Sequence, residues 1–181
     1  MKNKLPIIVA AVIFVAVAGY GIYAFFFESY HFAVVQDGVF YRSGLQGLRR
    51  FHNTYRWHPF KCVINLQSES DLETKYEEQA AEERMFCLEH GITYLRLPIK
   101  EKTPPTPEQA AQFLKWAGDP KNQPVLAHDS QGVIREGMMV ALWQMEKMHY
   151  SKDEALKAIR WFGHDPSPVL LEFIKQYRSA P

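Results

Sequence analysis

The chain has 181 residues, 47% hydrophobic and 23% charged, with a formal net charge of +1. So even a balance gives no electrostatic footprint for nucleic acid, and two cysteines are too few for a disulfide scaffold. Once one long apolar segment is set aside, about 150 residues remain, enough for one domain around one core.

The apolar segment comes first. Leu5 to Phe27 is uncharged, and a helix rising about 1.5 Å per residue over that length reaches across a hydrocarbon core of about 30 Å. Lys2 and Lys4 precede it, Glu28 follows, and the next basic residue is Arg42. The bias of basic charge predicts a single-pass anchor in the inner (cytoplasmic) membrane. Residues 1–4 would then lie in the cytoplasm, 5–27 in the membrane, and a domain of 28–181 on the periplasmic side. Tyr20 and Tyr23 suit the far interface. A cleaved leader is the rival reading, with Ala16-Val17-Ala18 as the small-residue cleavage site.

Phe32 to Tyr41 alternates around Asp37-Gly38, which predicts a hairpin. Cys62 to Leu66 is a short apolar run and reads as a buried strand. The cysteines Cys62 and Cys87 are read either as one bridge or as two buried thiols. Leu72 to His90 is rich in Glu, Lys, Gln and Ala, which predicts a helix stopped by Gly91. Ile92 to Ile99 is the next strand, and the three prolines in Thr103–Pro107 make a loop. Thr106 caps a helix from Pro107 to about Ala117. Pro124 to Ala127 is a short strand, and Gly137 to Met148 a helix with a wide apolar face. Ser151 and Glu154 form a capping box for a further helix, and Pro168 to Tyr177 is the last. Strands alternating with helices predict an α/β domain with a central, mostly parallel sheet flanked by helices.

The segment from Val125 to Gly137 carries the chemistry. It runs from a buried strand through His128-Asp129-Ser130-Gln131-Gly132-Val133-Ile134-Arg135 into a helix. Such a loop aims its N–H groups at one point beside a positive helix end, which makes an anion cradle. Arg135 offers a fork for phosphate. On the residues alone, pairing of Arg135 with Glu136 or Asp129 is an equal alternative. The pairs Glu77-Glu78 and Glu82-Glu83 read as a solvated helix face. No group of His, Cys and Asp has metal-ligand spacing, so neither a metal nor another cofactor is expected.

This segment resembles the signature loop of the dual-specificity and tyrosine phosphatases: His, Cys, five residues, Arg, a hydroxyl residue, Gly. His128, Gly132, Arg135 and Gly137 match in register, while Asp129 stands at the cysteine and Glu136 at the hydroxyl position. Gly38 to Gly44 and Cys62 to Leu66 are similar to the opening strands of small atypical dual-specificity phosphatases, with Gln67 where arginine is common. Met138 to Met145 and Ser151 to Gly163 are similar to the helices behind the loop. The resemblance implies a phosphate site of Ser130, Gln131, Gly132, Val133, Ile134 and Arg135. It implies Asp129 and Arg135 at the catalytic positions, His128 ordering the loop, and Glu101 as the weak candidate for the general acid.

The family reaction needs a thiolate that attacks phosphorus and leaves again. The first reading is therefore a pseudophosphatase that binds a phosphorylated protein, lipid or small molecule through residues 129–135. The second is a phosphomonoester phosphatase with aspartate as nucleophile. The third is a structural module whose loop binds nothing.

Overall fold

The computed structural model describes residues 5–27, 29–72 and 76–178. The N-terminal helix α1 covers Leu5–Phe27. The membrane-spanning assignment does not stand: among the described residues, no helix is long and apolar enough to cross a membrane. The inner-membrane location and the periplasmic placement of the domain rested on that span and fall with it. Lys2, Lys4 and Glu28, which set the predicted orientation, lie outside the described residues.

Five strands form the sheet: β1 (Ala33–Gln36), β2 (Phe40–Gly44), β3 (Cys62–Asn65), β4 (Thr93–Arg96) and β5 (Val125–Asp129). Their order is β1-β2-β5-β3-β4. The hairpin β1–β2 is antiparallel, and β2–β5, β5–β3 and β3–β4 are parallel. The sheet is thus mostly parallel, as the alternation of elements implied, and β5 lies at its centre.

Alternation along the strands divides two cores. Phe40, Cys62, Ile64, Val125 and Ala127 face one layer, and Tyr41, Val63 and Leu126 face the other. The first layer packs under α5 (Pro107–Gly118), α6 (Arg135–Lys147), α7 (Lys152–Ala158) and α8 (Pro168–Gln176). The second packs under α2 (Leu48–Trp57) and α4 (Glu77–Glu89). A short helix α3 spans Glu69–Leu72. Both thiols are free and buried, which closes the bridge alternative. Burial pushes the Cys62 thiol up to about 12.

The caps behave as their sequences require. Thr106 accepts from the Gln109 N–H and Ser151 from the Glu154 N–H, each in a reciprocal capping box. The helix expected over Leu72 to His90 is shorter in its described part and starts at Glu77; residues 73–75 lie outside the described residues. Helix α2 is an element the sequence did not announce. Its N-cap is Gly47, with no side-chain bond, and only Phe51 and Thr54 are fully buried. The helix is amphipathic, but it is short and its glycine N-cap carries no side-chain start signal.

Candidate functional site

The cradle is built where β5 ends and α6 begins. β5 is flanked on both sides by parallel neighbours, so residues 130–134 leave the sheet at its centre, and Arg135 opens α6. Gly132 makes the turn with φ +70°, and a Cβ there would collide with Gly44 N and with Ser43 C and O. Glycine is therefore required twice, for conformation and for contact with β2. Gly137 has a different reason: a Cβ would lie 2.6 Å from Leu170 Cδ1, so glycine lets α8 approach α6.

The loop curls around the carboxylate of Asp129. Oδ1 accepts from the Gln131 N–H at 2.8 Å and from the Gly132 N–H, and Oδ2 accepts from the Glu136 N–H at 3.2 Å. The same Oδ2 lies 3.5 Å from Arg135 Nε. Asp129 thus serves as anion of the loop and as cap of α6 together, since its carboxylate takes an N–H of the first helical turn.

Arg135 is buried; its Nε pairs with Asp129, one of the partners considered from sequence, while its Nη fork turns elsewhere. It faces Asp71 of α3. Nη1 donates to Asp71 Oδ2 at 2.6 Å and Nη2 to Asp71 Oδ1 at 3.1 Å, with a further bond from Nη1 to the Ile99 carbonyl at 3.2 Å. Ser130 Oγ donates to Asp71 Oδ1 at 2.9 Å and accepts from Gln67 Nε2 at 3.0 Å. Ser68 completes the arrangement, its N–H and Oγ both donating to Asp71 Oδ2. Burial alone would raise the Asp71 carboxyl, but the bonds from Arg135, Ser68 and Ser130 and the Arg135 charge hold it well below the usual range. Two carboxylates of the chain therefore occupy donors that suit a phosphate, Asp129 on the backbone and Asp71 on the guanidinium.

Asp71, Glu101, Asp129, Ser130, Gln131, Ile134 and Arg135 line one cleft of about 140 Å³. Glu101 reaches only its rim, 63% exposed and 3.8 Å from Lys102. Val133 is buried in the loop wall, and the Gly132 carbonyl points to Arg42 Nη2 at 2.7 Å. His128 is fully buried and meets Glu83 of α4 at 2.8 Å, with its other ring nitrogen 3.4 Å from the Asp129 carbonyl. Burial lowers this imidazole, yet the Glu83 charge and hydrogen bond raise it overall. Glu83 therefore belongs to a buried pair, not to the solvated helix face expected of it.

Glu136 is fully buried and lies 2.6 Å from Arg42 Nη2, close enough for an ion pair but without hydrogen-bond alignment. Desolvation drives its carboxyl well above the usual range, with the Asp129 charge adding to the rise and Arg42 opposing it. Sequence reasoning gave Asp71 and Arg42 no role in the site and read Glu83 as solvated. A signal existed for the first: Ser68-Glu69-Ser70-Asp71 has the spacing of an N-terminal capping motif.

A family model described as "DSP-PTPase phosphatase fused to NAD+ Kinase" matches residues 39–167. The chain belongs to this phosphatase family. Among curated proteins, the chloroplastic NAD kinase 2 of Arabidopsis thaliana is 31% identical over 85 residues, a match that covers 47% of this chain and 8% of the plant protein. The core catalytic domain of the PP-IP phosphatase SIW14 from S. cerevisiae superposes with a TM-score of 0.67. It is 20% identical, with coverage of 81% of this chain and 85% of that one. TpbA of P. aeruginosa gives 0.60 at 16% identity, covering 77% and 81%. These structural likenesses are likenesses of fold. Within the phosphatase domain of this chain, the loop and its arginine stand at the centre of the sheet, and Asp129 stands on the residue that opens the loop.

Proposed function

We propose that the domain is a pseudophosphatase: a phosphatase fold without turnover, which receives a phosphate-bearing ligand or partner at residues 129–135. The observation that carries this reading is the state of Asp129. A thiolate at that position would stand ready to attack phosphorus; a carboxylate whose two oxygens accept two loop N–H groups and one from the first turn of α6 is engaged in holding the loop. Glu136, at the position where the family resemblance implies a leaving-group hydroxyl, is buried against Arg42.

The same geometry sets the condition for binding. A phosphate reaches the Arg135 fork only by displacing Asp71, and it meets the Asp129 charge beneath. One unit repulsion at about 4 Å and an effective dielectric of about 20 is on the order of 4 kcal/mol, and salt reduces it. Wild-type affinity for free phosphate is therefore low, and a ligand must supply contacts outside the loop.

The test is hydrolysis of 4-nitrophenyl phosphate by the purified chain, beside calorimetric titration with vanadate. No turnover and weak, saturable vanadate binding are expected. Turnover that disappears in Asp129→Asn, with a hydroxylamine-labile phosphoryl group on the wild type, would establish the other reading, a phosphatase with an aspartate nucleophile.

A further inference from the structure

An apolar groove of about 700 Å³ lies beside the cleft, between the 103–107 loop and α8. Pro104, Pro105 and Pro107 form one wall, and Val169, Phe173 and Tyr177 the other. Its size is that of small-molecule sites, which run from about 300 to 1,000 Å³. The proline wall has no backbone N–H to offer. Tyr177 donates its hydroxyl to Glu146 Oε1 at 3.0 Å, so that polar group already has its partner. Recognition within the groove therefore rests on apolar burial.

The charges at the groove are unequal. Lys102, Arg178 and Glu172 are the charged residues of its lining, two cations against one acid. Lys102 is 71% exposed, lies 3.8 Å from the exposed Glu101, and lines both this groove and the cleft over the loop. An apolar trough with an exposed ammonium shared between it and a neighbouring cleft is complementary to a molecule with a hydrocarbon body and an anionic head.

We propose that this groove binds a single-chain amphiphilic anion, its hydrocarbon between the proline wall and α8 and its head on Lys102. The site shares Lys102 with the cleft over the 130–135 loop, but its apolar walls lie outside that cleft.

The experiment titrates the intact chain by calorimetry with decyl phosphate below its micelle concentration, with decanol, and with decyl phosphate in the presence of excess inorganic phosphate. Decyl phosphate should bind saturably, one per chain, and decanol at least about tenfold more weakly, a difference of roughly 1.4 kcal/mol. Excess inorganic phosphate should leave the decyl phosphate affinity unchanged, because free phosphate lacks the apolar body that the groove takes. Lys102→Glu should weaken binding about tenfold or more, and Val169→Glu, at a half-buried wall position, should abolish it. Thermal melts confirm that both variants fold. Absence of binding, equal affinity for decanol, competition by inorganic phosphate, or full affinity in a folded Val169→Glu would each overturn the proposal.

Discussion

Asp71 grips Arg135 in a two-pronged bond, Nη1 to Oδ2 at 2.6 Å and Nη2 to Oδ1 at 3.1 Å. This is the geometry in which a guanidinium binds two oxygens of a phosphate. Replacing Asp71 with Asn keeps the shape and removes the charge. Asp71→Asn should bind vanadate about tenfold or more tightly than wild type, because one repulsion falls away and the fork is more easily released. Calorimetric titration decides it. An unchanged affinity means that Asp71 does not guard the site.

Asp129→Ala carries two opposite effects. It removes the carboxylate that fills the cradle, so oxyanions should bind more tightly. It also removes the group that accepts from the Glu136 N–H at the start of α6, and loss of such a cap costs about 0.5–2 kcal/mol. Vanadate affinity should therefore rise while the melting temperature falls, by several degrees for a domain of this size. If oxyanions bind no better, Asp129 is not a built-in anion.

Placing the residues that the family resemblance implies at the loop tests the pseudophosphatase reading. Asp129→Cys with Glu136→Thr should give slow but measurable aryl phosphatase activity, since the loop and Arg135 are in place. Adding Asp71→Asn should raise that activity further by freeing the fork. A folded triple variant that stays inert would place the deficit elsewhere, first in the exposed Glu101, which reaches only the rim of the cleft.

The His128–Glu83 pair sets a pH dependence. Glu83 raises the buried imidazole above its ordinary value of about 6.5. A histidine raised in the folded state stabilises the fold fully below that ordinary value, and the contribution is lost as pH rises through the folded value. Wild type should thus lose more stability than His128→Gln as pH rises from about 6.5 upward. Urea unfolding across that range measures the difference. Parallel curves would show that the pair stays in one protonation state throughout.

Gly132→Ala should be destabilising by several kcal/mol, on the order of the sum of a positive-φ penalty and a steric clash. Its Cβ would press on the backbone of β2 at Ser43 and Gly44, which does not yield as a side chain does. Denaturant unfolding checks it. A variant of wild-type stability would mean that the turn at Gly132 can be rebuilt.

The sequence by itself determined the class of fold and the place of the loop. Alternation over Phe32 to Tyr41, the short apolar run at Cys62 to Leu66, the capping boxes at Thr106 and Ser151, and a strand–loop–helix run ending at Arg135 are local signals, legible within a few residues. That Asp129 stands where the family resemblance implies a cysteine was equally plain. The long apolar run misled, because hydropathy over Leu5 to Phe27 predicts a span that the described helix does not provide. Tertiary structure alone decided the partners of the charges. Arg135 meets Asp71 across 64 residues, His128 meets Glu83 across 45, and Arg42 reaches the Gly132 carbonyl across 90. No periodicity encodes such pairs. They arise when strand order and register bring distant segments to one end of the sheet, and burial then makes each unpaired charge too expensive to leave alone.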